Sequence, residues 1–129
     1  MLNKSGIAKA SYVNSTQILA NVDLQSSVGC IVPTAIGVAV GDKKIAKAGT
    51  PLNINLGNLS EDAKLGDGTT NAMNAVLLHD VDVTSEKANG TALIFGFVNL
   101  NRVDTDTQAK ITAAVGNAAA SKLITFLKV

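Results

Sequence analysis

Two apolar runs that lie close together in the chain constrain the fold more than any other feature. The first covers residues 75–84 and the second residues 91–100, and a six-residue link containing Asn89-Gly90 joins them. In the second run, apolar side chains occupy both alternating sets of positions, so both faces of the strand are apolar. Such a strand is buried on both faces, in a sandwich or against a neighbouring chain. The sequence therefore predicts a protein that is mainly β.

Shorter patterns predict further elements. Gly96, in the centre of the second run, indicates a bulge or a close backbone approach. Strand-like residues flank Gly41-Asp42, a pair typical of a two-residue hairpin turn. Residues 122–129 alternate in the way expected of a closing strand, and Asp104 or Thr105 can cap a helix that runs from residue 106 to about residue 117. The expected fold class is therefore mainly β with one C-terminal helix (α+β).

Residues 1–33 have a different character, because polar residues interrupt short apolar pieces and no period lasts. We expect residues 1–33 to form an N-terminal arm and residues 34–129 to form the domain. The arm would become ordered on a partner through its apolar residues. These residues are Ile7, Tyr12, Val13, Ile18 and Leu19. Two alternatives are an arm that stays loosely ordered and a strand that belongs to the domain itself.

Composition limits both the core and the partners. The chain has 129 residues, of which 18 are alanine, 11 are glycine and only four are aromatic. Small side chains contribute little burial energy each, which favours stabilisation by partner subunits. The net charge of +1 gives no basic excess for nucleic acid, and no apolar stretch is long enough to span a membrane. We therefore expect neither nucleic acid nor membrane as a partner.

Few residues could carry chemistry. His79 is the only histidine and has no catalytic or ligand neighbours at strand spacing. Asp80 and Asp82 could hold a divalent cation only if other oxygens joined them. Gly66–Thr70 is expected to be a flexible polar loop, and Cys30, the only cysteine, a small buried side chain. The sequence therefore predicts no enzyme, no cofactor and no metal site.

The order of the motifs resembles a known family. Residues 45–52 (IAKAGTPL) precede residues 75–84 (AVLLHDVDVT), which are followed by residues 88–92 (ANGTA) and 95–100 (FGFVNL). This order and spacing resembles the capsid decoration proteins of tailed bacteriophages, the family of the lambda head protein D. The resemblance covers about residues 34–129.

The resemblance implies a structural protein of the virion with a small β-sandwich or β-tulip-like domain. Proteins of this family bind the outside of the expanded phage head as homotrimers, contact the major capsid protein and stabilise the shell against the pressure of packaged DNA. The chain would be assembled in the host cytoplasm. Four residues are expected to pack in the trimer or in the core: Leu93, Phe95, Gly96 and Phe97. Two alternatives are a head-fibre or surface-adhesion module on the capsid and a small metal-binding protein.

Overall fold

The computed structural model describes residues 17–129. Within this range it contains nine strands and one α-helix. The strands are β1 (Ser26–Val32), β2 (Val38–Val40), β3 (Lys43–Ala46), β4 (Pro51–Asn53), β5 (Lys64–Leu65), β6 (Ala75–Leu77), β7 (Val81–Asp82), β8 (Ala88–Asn99) and β9 (Ile124–Leu127), and the helix is α1 (Thr105–Val115). Short 3-10 helices occupy Thr34–Ile36 and Leu100–Arg102. Three expected arm contacts, Ile7, Tyr12 and Val13, lie outside the described residues.

The strands form two sheets. Five of them pair in the order β1-β8-β6-β4-β5, and β9 joins this large sheet by pairing parallel to β8. The small sheet has the order β2-β3-β7. All other neighbouring strands are antiparallel. The prediction of a mainly β fold with one helix near the C-terminus is confirmed.

The predicted hairpin forms, but it begins later than expected. β2 and β3 pair around Gly41-Asp42, and Gly41 has a φ of 64°, a conformation that glycine adopts at little cost. The preceding residues Thr34–Ile36 are a 3-10 turn that follows Pro33. Residues 34–37 therefore form a turn, although their composition is typical of a strand.

The apolar run of residues 75–84 is not one strand, as its pattern predicted, but two strands in different sheets. Leu77 of β6 pairs with Ala92 in the large sheet, whereas Val81 of β7 pairs with Ala46 in the small sheet. Between them Asp80 leaves the strand path, and its carboxylate accepts a hydrogen bond from a backbone N–H of the segment after β3. These partners lie far away in sequence, so local alternation cannot reveal the break.

The helix is close to its predicted position. Asp104 is the N-cap, and its carboxylate accepts hydrogen bonds from the backbone N–H and the hydroxyl of Thr107, each at 3.3 Å. Ile111 and Ala114 are buried and turn one face of α1 towards the large sheet. The N-cap residue and the spacing of apolar residues within the helix were sufficient to predict α1.

The described part of the expected arm belongs to the domain, so the predicted boundary after residue 33 is wrong. β1 pairs with β8 along its whole length. Ile18 and Leu19, expected to contact the capsid, are instead 1% and 6% exposed in the core. Leu19 also pairs with Val98 of β8. β1 was not predicted as a strand because polar residues lie around it and its partner β8 is distant in sequence.

Two apolar clusters lie on opposite faces of the large sheet. The first, which we name the helix-side cluster, contains Val76 and Leu93, a cross-strand pair, together with the buried face of α1. The second contains the next pair along the same strands, Leu77 and Ala92, together with residues of the small sheet such as Ala46. Because successive residues of a strand point to opposite faces, the large sheet is covered by helix on one side and by the small sheet on the other.

Candidate interaction surface

A β-bulge interrupts the centre of β8. Ser26 pairs with Phe95, but the next residue, Ser27, pairs with Leu93, so one residue of β8 has no counterpart in β1. The extra residue shifts the alternation of side chains beyond it. Leu93 and Val98 are five positions apart, yet they pack in the same core cluster.

Gly96 lies next to this bulge and has a backbone conformation that other residues rarely adopt, with a φ of 154°. A Cβ at this position would lie 3.2 Å from Cδ1 of Leu93 and 3.3 Å from Cβ of Gln25. The Gly96 N–H donates a hydrogen bond of 3.2 Å to the carbonyl oxygen of Leu123, just before β9. The predicted bulge is therefore confirmed next to Gly96, where side chains pack closely, and Gly96 contributes to packing rather than to an exposed surface.

The parallel pairing of β8 with β9 decides which side chains face outwards. Val98 pairs with Phe126, and both pack in or against the helix-side cluster. Phe97 pairs with Thr125, so these two residues lie on the opposite face of the sheet. Leu127, two residues after Thr125, lies on that face as well.

Four apolar residues form an exposed surface at this end of the sheet, which we name the apolar strip: Phe95, Phe97, Leu123 and Leu127. Phe95 is 37% exposed, Leu127 38% and Leu123 60%, whereas Phe97 is partly buried. None of the four belongs to either core cluster. Adjacent exposed apolar side chains of this kind are typical of interaction sites.

The structure separates the four residues that the sequence grouped for trimer or core packing. Leu93 is completely buried and Gly96 is buried in the bulge, so both serve the core. Phe95 and Phe97 belong to the surface. Leu123 and Leu127 were not predicted as partners of the two phenylalanines. Their spacing of four in an alternating strand was the available signal, but the pairing of β9 with β8 was needed to use it.

The opposite edge of β8 carries a second exposed apolar element. Val98 pairs with Phe126 on one side and with Leu19 on the other, so β9 and the chain near residue 19 lie on opposite edges of β8. The N–H of Ala20 donates to the carbonyl oxygen of Phe97 at 2.9 Å, after which the chain leaves β8.

Residues 21–25 form a loop that returns to β8 where Ser26 pairs with Phe95. We name this segment the 21–25 loop. Its first residue, Asn21, accepts hydrogen bonds from the N–H groups of Asp23 and Leu24, at 3.0 and 3.2 Å. Val22 and Leu24 are exposed, and Asp23 between them is exposed as well.

The aspartates considered as metal ligands are engaged in the fold. Asp80 accepts a hydrogen bond of 2.7 Å from the N–H of Ala48. Asp82 accepts bonds from the hydroxyl and the N–H of Thr84, at 2.6 and 3.0 Å, and lies 3.7 Å from the ammonium of Lys43. The hydrogen bond from the Thr84 hydroxyl is the largest of the effects that lower the pKa of Asp82. Within residues 17–129, no three His, Cys, Asp or Glu side chains are grouped so that they could hold a metal ion.

The Gly66–Thr70 segment is organised by one carboxylate. Asp67 Oδ1 accepts hydrogen bonds from the N–H groups of Thr69, Thr70 and Asn71, at 2.9, 2.7 and 3.0 Å. These bonds, that of Thr69 first, lower the pKa of Asp67 because they favour its charged form. The segment is thus a turn held by its own aspartate.

Cys30 is buried in the cluster between the sheets, as predicted for a small apolar side chain. Burial raises the pKa of its thiol, which disfavours the reactive thiolate. In the part of the chain that the structure describes, no helix is long and apolar enough to cross a membrane.

No protein-family model matches the chain, and no curated protein matches it. The link to phage decoration proteins therefore depends on the motifs of the chain itself.

Proposed function

We propose that this protein is a capsid decoration protein of a tailed bacteriophage. It binds the outside of the expanded head as a homotrimer, contacts the major capsid protein and stabilises the shell against the pressure of the packaged DNA. The order of motifs along residues 34–129 supports this function. The small β-rich fold with one C-terminal helix is of the kind that the resemblance implies.

The observation that carries the proposal is the apolar strip. Phe95 and Leu123 expose apolar surface on a small domain whose sheets already have their own cores. An exposed surface of this kind favours association with other protein chains. The aspartates nearest to a catalytic or metal-binding pattern, Asp80 and Asp82, instead accept hydrogen bonds from the backbone N–H groups of Ala48 and Thr84. Association is therefore better supported than chemistry.

A trimeric clamp has a physical advantage on a phage head. Packaged DNA pushes neighbouring capsid subunits apart, and a protein that contacts several of them opposes this movement. A trimer presents three copies of each contact. Once one copy is bound, the other two engage at a high effective concentration, so weak individual contacts give tight binding.

The test uses the purified full-length protein and expanded heads that lack their own decoration protein. We expect the protein to sediment with the heads in a fixed ratio to the major capsid protein, and decorated heads to resist heat or osmotic shock better than bare heads. Unexpanded heads are the control, because a decoration protein binds after expansion. Failure to sediment with expanded heads would exclude this function, and binding without any gain in head stability would favour a surface-adhesion module.

A further inference from the structure

We propose that the protomers of this trimer join head to tail, with β9 of one copy packing against the 21–25 loop of the next. This inference depends on the proposed function for the number of copies. The contacting residues are inferred from the structure alone. Each copy uses two different surfaces, one for each neighbour.

The two surfaces lie at opposite edges of the same strand. Val98 of β8 pairs with β9 on one side and with Leu19, just before the 21–25 loop, on the other. A contact between opposite edges of two copies joins unlike surfaces. Such a contact forms a closed ring when the rotation between copies is one third of a turn. Every copy then has both of its surfaces covered.

Both surfaces expose apolar side chains that can pack on each other. Leu123 and Leu127 project beside β9, and Val22 and Leu24 project from the loop. All four are exposed large apolar residues within the described part of the chain. A head-to-tail contact would bury leucine and valine side chains from both sides at once, and burial of apolar area drives association.

The charges of the two surfaces are complementary. Lys122 and Lys128 are exposed at either end of β9, and Asp23 is exposed between the apolar residues of the loop. Neither the ion pair Lys43–Asp82 nor the ion pair Lys87–Asp62 involves any of these three residues.

The same charges decide against a different arrangement. In a two-fold dimer that paired β9 with β9, the lysines of one copy would face the lysines of the other. Like charges brought together oppose association. A head-to-tail contact instead places Lys122 and Lys128 of one copy near Asp23 of its neighbour. The charge pattern therefore selects a second copy in a cyclic assembly as the occupant of this surface.

Charge reversal tests the contact directly. Light scattering on the full-length protein should give three times the 13.2 kDa mass of one chain. Asp23→Lys places like charges opposite each other, as does the double variant Lys122→Asp with Lys128→Asp. Each should need about tenfold more protein to assemble, because like charges across an interface weaken it. The triple variant that combines all three changes restores opposite charges and should assemble at nearly the original concentration.

Matched variants control for unrelated effects. Glu86→Lys makes the same charge change at an exposed position between β7 and β8 and should leave the mass unchanged. Leu123→Ser should weaken assembly, whereas Leu56→Ser, at an exposed leucine outside both surfaces, should not. Circular dichroism of each variant shows that the fold is intact, as expected for changes at exposed positions.

Three results would overturn the head-to-tail contact. The first is a protein that stays monomeric at high concentration. The second is unchanged assembly in both Asp23→Lys and the double lysine variant. The third is a triple variant that assembles no better than these two variants. The sedimentation assay with heads separates this failure from failure of the proposed function. If the wild-type protein binds heads and the charge reversals leave its trimer intact, the proposed function stands and only the head-to-tail contact is excluded. If the reversals weaken the trimer but the wild-type protein does not bind heads, the contact stands and the proposed function is excluded.

Discussion

Leu93 and Val98 lie five positions apart on β8, yet both side chains are completely buried in the same core cluster. Strict alternation would place them on opposite faces of the sheet. The bulge beside Phe95 resolves this conflict by adding one residue to the strand. It also turns Phe97 away from the helix-side core, so the same irregularity completes the core and creates the apolar strip.

Gly96 should not accept a larger side chain. Gly96→Val forces a branched residue into a φ of 154° and brings its Cβ to 3.2 Å from Leu93. We expect a loss of about 1–3 kcal/mol in the free energy of unfolding, which is typical of overpacking. Urea denaturation followed by circular dichroism measures this loss.

Gly29 provides the matched control in the neighbouring strand β1. A Cβ there would have no heavy atom within 4 Å, and its φ is not positive. Gly29→Ala should therefore leave stability unchanged or raise it by up to about 1 kcal/mol, since alanine restricts the unfolded chain. If Gly96→Val were as stable as Gly29→Ala, the close approach at the bulge would not constrain the protein.

The cap of α1 should contribute measurably to stability. Asp104→Ala removes the acceptor for the N–H and the hydroxyl of Thr107, whose side chain is buried. We expect a loss of about 1 kcal/mol, and a much smaller loss for Asp104→Asn, which keeps an acceptor oxygen. Thermal denaturation of both variants at neutral pH distinguishes them. Equal losses would mean that the negative charge, rather than the cap bond, stabilises the helix.

Asp67 should make stability depend on acid pH. The N–H groups of Thr69, Asn71 and Thr70 lower its pKa in the folded protein, so the unfolded chain binds a proton more readily. The stabilisation is fully present above the ordinary aspartate pKa of about 3.9 and is lost as the pH falls through the lower pKa of the folded state. Asp67→Asn keeps the acceptor oxygen but removes this charge.

The urea midpoints of wild type and Asp67→Asn should therefore differ most at neutral pH and converge as the solution is acidified below about pH 3.9. Glu86→Gln, at an exposed position between β7 and β8, corrects for the general loss of one negative charge. A difference between wild type and Asp67→Asn that stayed constant from pH 7 to pH 2 would contradict the role of the Asp67 carboxylate.

Elements stabilised by local interactions were predictable from the sequence. The helix follows from the Asp104 cap and from apolar spacing within a few turns. The β2–β3 hairpin follows from Gly41, whose positive φ the turn requires. Both depend on residues only a few positions apart, so the pattern contains the information.

Elements stabilised by distant pairing were not predictable. β1 begins with the polar residues Ser26 and Ser27 and contains Gly29, so few of its positions remain to show an apolar alternation. Its partner β8 begins only at Ala88, after six other strands. The candidate surface shows the same division. The sequence marked Phe95 and Phe97, but Leu123 and Leu127 became their neighbours only through the parallel pairing of β9.

The segment before β1 provides the clearest test of where the domain begins. Leu19 is 6% exposed in the helix-side core and pairs with Val98. The N–H of Asn99 donates to the carbonyl oxygen of Ile18 at 2.7 Å, which fixes this segment to β8. A segment held in this way stabilises the domain itself.

Leu19→Ala should therefore lower the free energy of unfolding by about 2–5 kcal/mol, the cost of removing a buried leucine side chain. Leu56→Ala is the matched control, because Leu56 is 56% exposed and its truncation should change stability by no more than about 0.5 kcal/mol. Urea denaturation at a protein concentration too low for assembly measures both variants without a contribution from subunit contacts. Hydrogen exchange adds a second readout, because the N–H of Ala20, bonded to Phe97, should exchange slowly in wild type and faster in Leu19→Ala. Equal stability of the two leucine variants would return residues 17–20 to the role of an arm that contacts a partner.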